Sequence, residues 1–131
     1  MMSFTRILLS GILMSLLLAG CKTPGLLADS GQRGHAEEDL AQAIKIYEDG
    51  DYATATVIFQ HALQNGLSRK RDQAQVYKYL AFIHCVSDRE NQCHDAFKKA
   101  FEIDPSFNLL PAEAGHPVWG PVFRAVQNSK H

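Results

Sequence analysis

The longest apolar run in this sequence, Ile7 to about Leu18, falls short of the roughly 20 residues that a membrane-spanning helix needs. That run is therefore not a span. Charge of one sign is also lacking: 13 Lys and Arg stand against 14 Asp and Glu, a formal net charge of −1 over 131 residues. Nucleic-acid binding announces itself as a basic stripe. The triplet Arg69-Lys70-Arg71 is too short for one and reads as a solvated helix start or a rim contact. No Gly-rich phosphate loop, nucleophile elbow or metalloprotease helix is present, so the common short catalytic motifs are missing. Cysteine is scarce, three in all, and no two have the Cys-x-x-Cys spacing of structural zinc. The chain reads as a non-enzyme without a catalytic residue, metal or cofactor, and its partners are not nucleic acids.

What is present starts at the N-terminus. Arg6 precedes the apolar run, and the small residues Ala19-Gly20 follow it, the layout of a cleaved secretory leader over residues 1–20. Leu18-Ala19-Gly20-Cys21 resembles the bacterial lipobox, in which the Cys is acylated and becomes the first residue of the mature chain. The resemblance implies a palmitate-bearing Cys21 and a lipoprotein held to the membrane. Lys22 in place of Asp after the Cys implies the outer membrane, facing the periplasm. An ordinary secretory leader with a chance Cys is the alternative. Each buried CH2 contributes about 0.8 kcal/mol, so two or three acyl chains hold permanently. Residues 21–35 read as the lipidated Cys and a flexible tether, rich in Gly and polar side chains from Lys22 to Gly34, of which a dozen or so residues span up to roughly 40 Å when extended. The remaining length supports one domain.

That domain contains an internal repeat. Ala43 matches Ala81, Ala55 matches Cys93, Phe59 matches Phe97 and Ala62 matches Ala100, each pair 38 residues apart. Self-similarity at such a period marks stacked supersecondary units. Leu40, Ala43, Ile44 and Tyr47 keep helical spacing, as do Val76, Tyr77, Leu80, Ala81 and Ile83, so each stretch is an amphipathic helix. Breaks at Asp49-Gly50-Asp51 and Ser87-Asp88 separate each from a second helix carrying Phe59 or Phe97. Glu37-Glu38-Asp39 reads as the acidic first turn of the first helix. The predicted class is all-α, with two helical hairpins over residues 36–105.

These hairpins resemble the tetratricopeptide repeat at Ala43, Gly50-Asp51-Tyr52, Ala55, Phe59 and Ala62, and again at Tyr77, Leu80-Ala81, Phe97, Ala100 and Asp104-Pro105. The period of 38 exceeds the family's usual 34, and the connection around Leu67 to Arg71 can hold the surplus. Cys93 stands where the family has Ala, and Asp88 where it has Gly. The resemblance implies a concave peptide-binding surface on the outward faces of the first helices. The candidate partner-binding residues there are Gln42, Lys45, Ile46, Gln73, Lys78 and His84, with Glu38 and Gln75 beside them.

Two stacked repeats leave an apolar end uncovered, and the tail over residues 106–131 offers a cover. An extended stretch from Ser106 to Pro111 precedes a short helix that Pro121 can start, with Val122, Phe123 and Val126 on one side. Trp119 and Phe123 either seal the second repeat or anchor a partner, since Trp is enriched at interaction hot spots. Whether the groove stays open or is filled by Phe107 to Pro117 is a question the sequence poses.

Cys85 and Cys93 flank the turn of the second hairpin. With Cys21 used for lipid, two thiols remain for an oxidising compartment, which favours a disulfide; two buried free thiols are the alternative. His84 and His94 adjoin them, but helix neighbours point about 100° apart and cannot easily aim at one ion.

The stretch from Tyr79 to Cys85, Cys93 eight residues on, Asp104-Pro105-Ser106-Phe107, and Glu113 through Phe123 together resemble the accessory lipoproteins of the type VI secretion system, the TssQ-like proteins. The resemblance implies an envelope adaptor that holds or positions a component of that machine. A lipoprotein adaptor for outer-membrane assembly, pilus biogenesis or peptidoglycan enzymes is the other class in play.

Overall fold

The computed structural model describes residues 28–129, with side chains from residue 34 onward. The leader and Cys21 lie outside the described residues. Six helices and no strand make up the described part: α1 Ala28–Glu48, α2 Tyr52–Gln64, α3 Lys70–Val86, α4 Glu90–Ile103, α5 Pro111–Ala114 and α6 Trp119–Asn128. No helix among them is long and apolar enough to cross a membrane.

The hairpins α1–α2 and α3–α4 form for the same local reasons. Gly50 takes a φ of +85° after α1, a region that costs glycine nothing. Asp51 Oδ1 then accepts the Thr54 N–H at 3.0 Å and caps α2. The second hairpin repeats the turn with Asp88, 38 residues after Gly50, at a φ of +57°. An L-residue with a Cβ pays for that conformation. Asp88→Gly should therefore raise stability by about 0.5–1 kcal/mol, visible as a higher urea midpoint at unchanged slope. No gain would mean that the turn carries no strain.

All eight residues of the four matched pairs, Ala43 and Ala81, Ala55 and Cys93, Phe59 and Phe97, Ala62 and Ala100, are 0% exposed. Small side chains let each helix pair approach, and one Phe per hairpin fills the space between them. Helix α3 packs against α1, α2 and α4, so the second hairpin continues the core of the first. Tyr79 of α3 stacks on Phe59 at 5.4 Å and meets Tyr47 edge-on at 4.9 Å. Burial at this junction pushes the Tyr47 hydroxyl up to about 12, and it stays protonated. Cys85 and Cys93 are joined as a disulfide across the α3–α4 turn, with Cα atoms 5.1 Å apart.

Two boundaries differ from the sequence reading. Helix α1 begins at Ala28, so residues 28–35 of the expected tether are helical. The first core side chain is still Ala36, and a packed helix extends outward cheaply because each added residue gains a hydrogen bond without a new nucleation cost. Glu37, Glu38 and Asp39 consequently sit well inside α1 and not in its first turn. Asp39 accepts from Asn65 Nδ2 at 2.8 Å, tying α1 to the end of α2. In the tail, α6 starts at Trp119, two residues before Pro121. Pro121 costs little there, because first-turn N–H groups have no intrahelical acceptor.

Helix α6 lies on α4 and α3. Phe123 meets the rings of Phe97 at 5.4 Å, Phe101 at 5.5 Å and Phe107 at 6.1 Å. The tail is thus built into the core of the second hairpin.

Candidate partner-binding face

Helix α3 turns about 100° per residue, and that angle sorts the candidates. Gln73 and His84 fall within about 20° of each other, while Lys78 points about 140° away from Gln73. They do not form one face. Gln73 donates its Nε2 to the Leu67 carbonyl at 2.7 Å and braces the α2–α3 connection. Gln42 and Lys45 are exposed on α1, and Ile46 is half-buried against the core.

The residues that do share a face of α3 are Arg71, Gln75, Lys78 and Phe82, spaced 4, 7 and 11 apart and spread over about 60°. Over this stripe crosses the strap from Phe107 to Pro117. Lys78 Nζ donates to Glu113 Oε1 at 2.7 Å, with side chains only 11% and 20% exposed. The same ammonium sits 4.6 Å from the Tyr79 ring centre and 5.7 Å from that of Phe82, where aromatic faces add attraction. Glu113 Oε2 accepts the Leu110 N–H at 2.9 Å, and the Glu113 carbonyl accepts Trp119 Nε1–H at 2.8 Å. One residue therefore links α3, the entry to α5 and the start of α6.

Trp119 is clamped on both faces: Phe82 stacks at 4.1 Å and His116 at 3.4 Å between ring centres. His116 Nδ1 accepts the Val118 N–H at 3.2 Å. Gly120 follows, and a Cβ there would stand 2.5 Å from the Ala114 carbonyl oxygen, so only glycine permits this approach of α6 to α5. Trp119 is half-buried. Phe123, offered by the sequence as a partner anchor, is 2% exposed and cannot reach a partner, because α4 and the strap enclose its ring. The strap crosses the outward face of α3 and is tied to it at Lys78, without filling the space beneath it.

Sequence reasoning missed Glu113 as the partner of Lys78, 35 residues away, and left Arg71 and Gln75 at the margin. The 4, 7, 11 spacing of the stripe was the available signal. For Glu113 there was none, since nothing local pairs it with α3.

His84 is half-buried, and its buried Nδ1 has no hydrogen-bond partner among the described residues. Burial, then the Arg89 charge, hold its pKa below the ordinary value of about 6.5. The native state thus keeps His84 neutral where the unfolded chain is already protonated. As pH falls below about 6.5 the unfolded state binds the extra proton, so stability declines until His84 itself titrates in the fold. We expect the urea midpoint to drop between pH 7.5 and 5 by less in His84→Gln than in the wild type. Equal drops would remove His84 from the account.

Among the described residues no cluster of His, Cys, Asp and Glu could hold a metal ion. No family model, curated protein or solved structure matches the chain. What the fold and face define is an all-α protein of two helical hairpins whose C-terminal tail crosses the second.

Proposed function

We propose that this chain is a lipid-anchored protein–protein adaptor of the bacterial envelope, with tetratricopeptide-like hairpins as its recognition part. Its place is the outer membrane, facing the periplasm, and its role is accessory to a type VI secretion system. The observation that carries the adaptor reading is the face on α3: a nearly buried ammonium there, Lys78, is paired with a carboxylate from a distant segment of the chain, Glu113 of the strap. The four residue pairs at a period of 38, all at 0% exposure, support the repeat reading. The secretion-system assignment rests on the resemblance in residues 79–123, and the described part of Cys85 to Phe123 is where the bridge, the strap and the seated tail lie. The anchor rests on the lipobox resemblance at Cys21.

The test is in-cell crosslinking and affinity purification of the lipidated protein, read by mass spectrometry, together with effector secretion in a deletion strain. Recovery of secretion-machine components with impaired secretion is the expected result. Recovery of barrel-assembly, pilus or cell-wall factors with normal secretion would move the adaptor to another machine.

A further inference from the structure

The strap is anchored by Leu109, which is 6% exposed in the core, but its α5 turn stands off α3. No Cα of α5 comes within 8 Å of one in α3, none of the α5 residues is buried, and Leu110 is 65% exposed. The space between is a solvent-open cavity of about 500 Å³, walled by Arg71, Gln75 and Lys78 of α3 on one side and by Asp104 and the strap, including Leu110 and Glu113, on the other. That volume falls within the roughly 300–1,000 Å³ of ligand sites. Lys78 reaches across it to Glu113 in a single ion pair of 2.7 Å.

We propose that the α3 face of Arg71, Gln75 and Lys78 is a peptide-binding site held in cis by the strap, and that its partner in trans is an acidic segment whose carboxylate replaces Glu113 at Lys78. The inference rests on the adaptor reading and names the chemistry of its partner. A nearly buried ammonium fixes that chemistry, because an occupant without a carboxylate would leave the charge unpaired, which is costly away from water. Arg71, two turns before Lys78 on the same wall, adds a second positive charge, met in part by the Asp104 carboxylate that also lines the cavity. The strap competes at the millimolar effective concentration of a short tether, so binding in trans is weak until the cis pair is broken.

Trp119 is the single tryptophan of the chain and donates to the Glu113 carbonyl, so its emission reports whether the strap is seated. The probe is a synthetic peptide of residues 107–117, which contains no tryptophan, titrated into the full-length lipoprotein in detergent. In Glu113→Gln the peptide should produce a saturable red shift at a midpoint about tenfold lower than in the wild type, the scale of a charge-assisted hydrogen bond. A peptide with Gln at the Glu113 position, or Lys78→Met added to the chain, should abolish that gain. If Glu113→Gln loses the wild-type circular dichroism spectrum, Glu113→Asp, which withdraws the carboxylate by one methylene, takes its place. A folded variant that binds both peptides alike, or neither, would overturn the proposal. Crosslinked envelope partners recovered by a chain that ignores the peptide would leave the adaptor reading standing and sink this site alone.

Discussion

Replacing Phe123 by alanine should lower the free energy of unfolding by about 3–5 kcal/mol, the range for truncating a fully buried aromatic side chain. The ring is 2% exposed and touches three others, from Phe97 and Phe101 on α4 and from Phe107 at the head of the strap. Phe97 and Phe101 are fixed by a regular helix, so the void left by the ring cannot collapse, and the cavity cost adds to the lost transfer energy. The damage also spreads. Val126 and Phe123 are the buried apolar side chains by which α6 holds to α4, and a loosened α6 exposes the apolar end of the second hairpin to water. For a domain of about 100 residues the loss corresponds to a melting temperature lower by on the order of 15 °C. Chemical denaturation followed through Trp119 measures it directly. A loss under about 1 kcal/mol would mean that α6 is an appendage, and would return Phe123 to the list of residues free to meet a partner. Phe123→Leu, which keeps most of the volume, should cost far less.

How much of this was legible before the structure divides along a physical line. The period of 38 located eight core positions, because burial at a helix–helix contact selects small or aromatic residues and leaves that record in the sequence. Asp88 could be marked as the odd residue of its turn, and its positive φ is the physical form of that oddity. The disulfide followed from two cysteines bracketing a hairpin turn. Contacts between distant segments left no such record. The Lys78–Glu113 pair joins residues 35 apart across a strap with no periodicity, and a Glu in a short polar stretch looks the same whether it is solvated or paired. Phe123 was legible only as a choice between a seal and an anchor, and it is the seal. An aromatic near a chain end is compatible with a hot spot or a core, and only the positions of Phe97, Phe101 and Phe107 around it decide between them. The grouping of Gln73, Lys78 and His84 failed for a simpler reason: steps of 5 and 6 residues do not keep to one side of a helix.

Removing the bridge, as Cys85→Ala with Cys93→Ala, should cost about 2–5 kcal/mol, the usual range for a native disulfide in a small domain. In the loop-closure model, eight residues of separation account for about 2.5 kcal/mol of that. Packing accounts for more, since Cys93 is 0% and Cys85 7% exposed, and alanine leaves a gap where each sulfur was. The bridge also encloses Asp88, whose positive φ works against the turn, so the two effects are coupled through one loop. Without the bridge the unfolded chain is less restricted, and a glycine at 88 then gives up more freedom on folding. The gain from Asp88→Gly should therefore be smaller in the bridgeless chain than in the wild type, a departure from additivity expected of neighbours that share a backbone segment. Because both sulfurs are buried, thiol titration of the folded protein should find the pair inaccessible to mild reductant and open only in denaturant. Ready reduction of the folded chain, with stability unchanged, would instead mark Cys85 and Cys93 as a working redox pair and displace the structural reading of the bridge.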